Sequence, residues 1–500
     1  MRRHEVSLSR LPYRAIALIG LALVALPLYQ RIRDVAERVG QQGSLFLWPG
    51  LGVTLVAVAA AWLVLRATPQ GAAERPFRAV RRRTARRGVE LALIVAGGLA
   101  FRLIFATAAP ALSHDAYRYV WDAHLVAHGA SPYTHTVSDP ALAPLRDAAI
   151  WPQVNWRDAP TIYPPGAQLF YLLVNAIAPL NIWAMKLAMG LCDALAGLLT
   201  IVLLRQHGLD PRRSIIYWWN PIPILEFGFN GHVDAAATLW TLAALVVAGQ
   251  RWRGARPAAG VFLGLAALTK LYPLLLAVAL VRRRDWGFLL GLAGTLVVVT
   301  VPFVRLGLGS GGFLATYFSQ RFVDQGLAFR VITTFITDVH VQTALQGLLL
   351  LAVVGVVAWL HLWRGLSPEA GVLALSAGWI LVAPHLFPWY VAGLLPLLAL
   401  YVRLPLLGWR VPMATTTGRA DAPADLAGKR PTQALALWLF TLAMPFTYVI
   451  FAPEGSAGLF PFCFVVPLAL AAYPLVARWI HGARMHLPAT TTLRPATQEE

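Results

Sequence analysis

Charge is scarce in this 500-residue chain: Asp, Glu, Lys and Arg together make up 13% of it, about half the share expected of a soluble domain. Acid is scarcer still, with 23 Asp and Glu against 42 Lys and Arg. Cysteine is nearly absent. The 2 cysteines, Cys192 and Cys463, both fall inside apolar runs, which excludes a disulfide framework and any cysteine-based metal spacing. No internal repeat is visible either, so the sequence lacks the signature of a two-fold transporter.

What is present is apolar: hydrophobic residues are 58% of the chain, gathered in runs about twenty residues long, the length that crosses a bilayer as a helix. The fold class is therefore all-α, a polytopic membrane protein of about 12 to 13 transmembrane or re-entrant segments. The formal charge of +19 would suggest nucleic acid in a soluble protein, but the arginines sit in short loops between apolar runs, where they set orientation. No nucleic-acid partner is expected. The cluster from Arg66 through Arg87, containing RAVRRRTARR, suits the anionic headgroups of a cytoplasmic leaflet.

With both termini cytoplasmic, spans near 15–29 and 45–65 return to that basic loop, and a third near 89–108 leads out. Residues 1–480 then form one transmembrane domain, with 109–165 and 305–340 as outer loops, 404–433 as a cytoplasmic loop, and 481–500 as a disordered tail. The loop 109–165 has room for two or three short helices along the bilayer surface. The run 166–204 is broken at 178–181 and is best fitted by one crossing. Residues 214–230 lead out and 235–250 return, which puts His232 and Asp234 on the side of Asp115. The segment 257–281 is bounded by arginine clusters, and each half spans about 18 Å as helix, too little to cross. A re-entrant hairpin with Lys270 at its tip is expected. Later spans fall near 287–304, 341–361, 369–384, 389–403, 434–452 and 459–478.

The chemistry concentrates in SHDAYRYVWDAHLVAHGASPY, residues 113–133. Asp115, Arg118, Tyr119 and Asp122 recur at spacings of three and four, so a helix puts them on one face. Asp115, Glu226, Asp234, Lys270 and His385 are ionisable groups at or within the bilayer, and such groups mark functional sites. A carboxylate at a water-excluded boundary suits a general base, while Lys and Arg suit a lipid phosphate. Structural alternatives stand beside these: Asp115 and Asp234 each suit a helix first turn, Asp122 suits an ion pair with Arg118, and Glu226 suits backbone freed by Pro221 and Pro223. Trp389 and Tyr390 fit an interfacial aromatic belt. His124, His128 and His135 lack ligand spacing and read as surface residues.

The blocks SHDAYRYVWDAHLVAHGASPY, DPALAPLRD, TIYPPGAQLFYLL, FNGHVDAAATLW, LGLAALTKLYPLLL and APHLFPWYVAGLLPLL, in that order from about Leu91 to Leu400, resemble bacterial membrane glycosyltransferases of the GT-C superfamily. The polyprenol-phosphate-mannose-dependent mannosyltransferases and glycosyltransferase family 87 are the groups they most resemble. The resemblance implies transfer of a hexose, mannose first, from a polyprenyl-phosphate sugar to a hydroxyl of a glycan or lipid-linked acceptor, with inversion, at the outer face of a bacterial inner membrane. It implies that Asp115 is the catalytic base and that Lys270 is the family's lysine, which is assigned with Arg118 to the donor phosphate; Tyr119, Asp234, Tyr272 and His385 are read as further substrate-binding residues. The histidine block departs from the family pattern, since Leu386 and Phe387 separate His385 from Pro388. His114 stands where many relatives carry a second acid, so the sequence requires no metal or other cofactor; a divalent ion held by His114, Asp115 and Asp234 has no supporting spacing. The reading from a different class is a transporter or lipid flippase with Asp234 and Lys270 in a translocation path.

Overall fold

The computed structural model describes residues 13–39, 44–66, 77–308, 326–403 and 431–450. Regular structure among them is helical throughout: α1 (Tyr13–Val39), α2 (Ser44–Leu65), α3 (Phe77–Leu103), α4 (Asp115–Ala127), α5 (Pro165–Ile177), α6 (Ile182–Gln206), α7 (Asp234–Ala248), α8 (Ala255–Thr269), α9 (Trp286–Val304), α10 (Leu327–Phe335), α11 (Val339–Arg364), α12 (Pro368–Val382), α13 (Leu395–Tyr401) and α14 (Pro431–Ala443). Shorter helical turns lie between them and are named by residue.

Five of these helices, α1, α2, α6, α9 and α11, are long and apolar enough to cross a membrane. A sixth span arises if Pro223–Phe229 and α7, which meet at 114°, are counted as one broken segment. The larger number expected from hydropathy includes helices that prove short, among them α5, α8 and α12. The expected span at 459–478, most of the loop 404–433 and the tail lie outside the described residues, as does Cys463; Cys192 is a buried free thiol.

Local signals explain the helix ends. The run 166–204 is two helices, and the second alone has spanning length: Asn181 caps α6 by accepting from the Ala184 N–H at 3.0 Å, which satisfies one of the donors a helix start leaves open. The far end of α6 closes when Leu209 N–H donates to the Leu204 carbonyl at 2.9 Å across Gly208, φ +65°, a left-handed position that costs glycine little. Ser367 caps α12 through the Ala370 N–H at 3.3 Å, with Pro368 at the first helical position, where its missing N–H is no loss.

The third expected span, α3, carries Glu90 and Arg102 in its apolar half. Both are neutralised by protein: Glu90 pairs with Arg212, and Arg102 holds the two oxygens of Asp193 on α6 at 2.5 and 3.1 Å. Arg102 also donates to the Gly98 and Trp218 carbonyls, each at 2.9 Å. A buried ion pair persists only when its remaining donors are satisfied in this way.

Helices α7, α8 and α9 pack in sequence, and α5 lies against α4 and α8. Arg256, early in α8, donates to the Leu280 carbonyl at 2.8 Å and pairs with Asp285. The two ends of 255–281 therefore meet, and Lys270 follows the last residue of α8 at the far end. In the segment 109–165, α4 is enclosed by protein. Residues from Ala116 to Leu125 are buried because the tyrosines and the Arg118–Asp122 pair pack inward against α5.

Candidate active site

Helix α4 starts at Asp115, but the carboxylate does not cap it. Its Oδ1 accepts from Asn155 Nδ2 at 2.7 Å and its Oδ2 from the Tyr163 hydroxyl at 3.2 Å. These two donors fix the orientation of the carboxyl group at the start of α4. The side chain keeps 16% of its exposure, enough for a substrate hydroxyl to reach it. Burial pushes the Tyr163 phenol well above its ordinary range, so Tyr163 remains a donor.

Tyr163 also lines a recess whose wall includes Pro164, Lys270, Tyr272, Trp379 and Tyr390. Tyr272 stacks on Trp379 at 4.5 Å, and Lys270 Nζ lies 5.1 Å from the centre of the Tyr390 ring. The ammonium pairs with Asp234 Oδ2 at 3.1 Å. The recess thus offers one cation among aromatic and aliphatic walls, with the Asp115 carboxylate reached through Tyr163.

The remaining residues singled out in the sequence divide. Arg118 is turned into the protein: its Nε donates to Asp122 Oδ1 at 2.7 Å, and its Nη1 to the Trp156 and Ala159 carbonyls at 3.3 and 3.2 Å. Asp122 also accepts from Thr161 and Gln168 at 2.6 and 3.0 Å, so this pair stitches α4 to the segment that carries Tyr163. Tyr119 stacks on Tyr171 at 4.6 Å, meets Tyr163 edge-on at 4.9 Å and buttresses the site. His385 stands in the turn after α12, while the residue of its block that reaches the site's histidine is Trp389, stacked 3.9 Å from the His232 ring. Trp389 is therefore buried packing, not part of an aromatic belt, because the imidazole needs an apolar cover. His114 turns away, its Nδ1 2.9 Å from the Gln153 carbonyl, and among the described residues no group of three His, Cys, Asp or Glu side chains converges as metal ligands do. His124 and His128 share α4's end at 4.3 Å between rings, and His124 is buried.

Behind Asp115 lies a chain of buried polar groups. His232 Nδ1 is 3.8 Å from Asp115 Oδ2, and its Nε2 is 3.4 Å from Glu226 Oε2. Glu226 accepts from Asn230 Nδ2 at 3.1 Å and from the Tyr448 hydroxyl at 2.9 and 3.0 Å. Asn155, Tyr163 and Tyr448 carried no spacing signal in the sequence; Tyr163 alone fell in a recognisable block, TIYPPGAQLFYLL.

A partly exposed carboxylate, a cation in an aromatic recess and a chain of buried polar groups are thus held by residues drawn mostly from 115–272. Residues 44–283 match the family described as alpha-(1->6)-mannopyranosyltransferase, N-terminal domain. Over those residues the chain is similar to that mannosyltransferase family. It is a glycosyltransferase domain, as the resemblance read in the motifs implied. No curated protein matches the chain. The mannosyltransferase match takes in Asp115, Arg118, Tyr119, Asp234, Lys270 and Tyr272 and ends before His385.

Proposed function

We propose that this mannosyltransferase domain takes a mannosyl group from a polyprenyl-phosphate sugar and passes it to a glycan or lipid-linked acceptor hydroxyl at the extracytoplasmic face, with inversion. The observation that carries the reading is the placement of Tyr163 between the Asp115 carboxylate, which it donates to at 3.2 Å, and the recess walled by Lys270. In this scheme the acceptor hydroxyl lies against Asp115. The acceptor oxygen forms the new bond to the anomeric carbon, its proton passes to Asp115, and the bond to the donor's phosphate oxygen breaks with its electron pair leaving on phosphate.

Lys270 meets the charge that grows on the leaving phosphate, which is where preorganised donors lower a barrier most. Asp234 orients Lys270. Tyr272, Trp379 and Tyr390 give the sugar and the first prenyl units aromatic faces to pack against. Arg118 has no place at the phosphate in this scheme, since its donors hold Asp122 and two loop carbonyls; it positions the segment that carries Tyr163. Purified protein reconstituted with synthetic polyprenyl-phosphate-mannose and candidate glycan acceptors tests the reading. It requires glycan product from the wild type and none from Asp115→Asn at unchanged thermal stability.

A further inference from the structure

A base that removes one proton per transfer must also be emptied, and Asp115 sits where only 16% of its side chain is exposed. The group standing at its inner side is His232, 1% exposed, and beyond that Glu226, fully buried. Among the described residues, neither ring nitrogen of His232 has a hydrogen-bond partner at the distances of 3.8 and 3.4 Å. A neutral imidazole carries one N–H donor and one lone-pair acceptor, and leaving both orphaned in a protein interior is unfavourable.

The fold nonetheless holds the ring firmly in that position. Trp389 lies parallel to it, 17° between planes, and the His232 N–H donates to the Glu226 carbonyl at 2.9 Å. The turn that allows this runs through Gly231 at φ +73°, where a Cβ would also meet Lys186 at 3.2 Å. Glu226 in turn receives donors from Asn230 and Tyr448, which hold its carboxyl group facing the ring. The imidazole is thus set with one nitrogen toward each of two carboxylates, and modest closure brings both gaps to the hydrogen-bond length of about 2.7 to 3.2 Å.

We propose that His232 and Glu226 form a proton relay that restores Asp115 to its carboxylate while products still fill the recess. It rests on the reading of Asp115 as the base. The proton taken from the acceptor hydroxyl moves from Asp115 Oδ2 to His232 Nδ1 as the Nε2 proton moves to Glu226 Oε2. The ring changes tautomer and gains no net charge, Asp115 becomes an anion again, and Glu226 becomes the neutral acid. Asp115 then holds no proton with which to reverse the transfer. When the products leave, the two steps run backward and Asp115 gives the proton to water entering the recess.

The test uses the full chain reconstituted with synthetic polyprenyl-phosphate-mannose. His232→Gln lowers kcat by ~10- to 100-fold, within the range general acid–base groups contribute, with donor KM within about twofold. Glu226→Gln, which keeps the size and the Asn230 and Tyr448 contacts, lowers it by a similar factor, and the double variant falls no further because the two act in series. A residue that merely shapes the site would move KM and combine additively. The wild-type enzyme, which raises no question of folding, gives a curved proton inventory in mixed light and heavy water, since two protons move together. Wild-type kcat in Glu226→Gln, additive losses, or a linear inventory would overturn the relay. Full activity of Asp115→Asn sinks the functional reading itself, whereas an inactive Asp115→Asn beside a fully active His232→Gln sinks the relay alone.

Discussion

Lys270 Nζ stands 3.1 Å from Asp234 Oδ2, a pair in which the acid is 2% exposed and the lysine 18%. The lysine sits just past the end of α8 and the acid at the start of α7, so the pair pins the far end of the 255–281 hairpin against the recess. Because the lysine is the more open partner, an incoming phosphate can share it without first breaking the pair. Lys270→Met should therefore weaken donor binding, raising donor KM by roughly 10- to 100-fold, the worth of one charge-assisted hydrogen bond at about 1.5 to 3 kcal/mol. Initial rates against donor concentration measure this; an unchanged KM would remove Lys270 from the phosphate.

Arg118 and Asp122 make a different kind of pair, at 2.7 Å with side chains 5% and 0% exposed. Asp122→Asn leaves a buried guanidinium without its counter-charge, which costs about 3 to 5 kcal/mol. The expected outcome is a marked fall in thermal midpoint in detergent, with donor KM unchanged in the folded fraction. A variant that keeps its midpoint and loses donor affinity would return Arg118 to the phosphate.

Much of the fold was legible because hydropathy and loop charge are strong signals in a membrane chain: α1, α2, α9 and α11 lie where the apolar runs predicted them. Helix α3 was harder, since Glu90 and Arg102 are matched by Arg212 and Asp193 from distant segments, and no local pattern announces a partner more than ninety residues away. The same limit governed the site. Spacing put Asp115, Arg118, Tyr119 and Asp122 on one face, yet the face divides between the Asp115 carboxylate, turned to Asn155 and Tyr163, and an Arg118–Asp122 pair turned to Thr161 and Gln168. Trp389 read as an interfacial aromatic because its contact with His232 is made across more than 150 residues of sequence.

Packing of α8 on α9 supplies a third prediction. A Cβ at Gly260 would fall on the Phe288 carbonyl and lie 2.7 Å from the Leu292 nitrogen, and backbone at that distance cannot rotate away. Gly260→Ala should lower stability by about 1 to 3 kcal/mol, as overpacking does, read as a lower thermal midpoint. Wild-type stability would show that the two helices separate more easily than their contact indicates.

His207 follows the end of α6, its Nε2 3.4 Å from Glu369 Oε1. The hydrogen bond to Glu369 raises the imidazole above its ordinary value, with burial opposing. The folded state then holds the proton more tightly than the unfolded chain, so this contribution is complete below about pH 6.5 and is lost as pH rises through the raised value. The imidazole is partly exposed and the effect small, about 0 to 1 kcal/mol. Thermal midpoints from pH 6 to 9 (roughly the window around that value) should decline more steeply for wild type than for His207→Gln; parallel profiles would refute the linkage.

The central claim is that Asp115, held by Asn155 and Tyr163, takes the proton of the acceptor hydroxyl. The direct measurement is glycan product formed from polyprenyl-phosphate-mannose by reconstituted wild type and Asp115→Asn at matched thermal midpoints. The account predicts loss of turnover by at least ~100-fold, the contribution of a positioned general base, with the donor still bound. Equal turnover by the two proteins would contradict it.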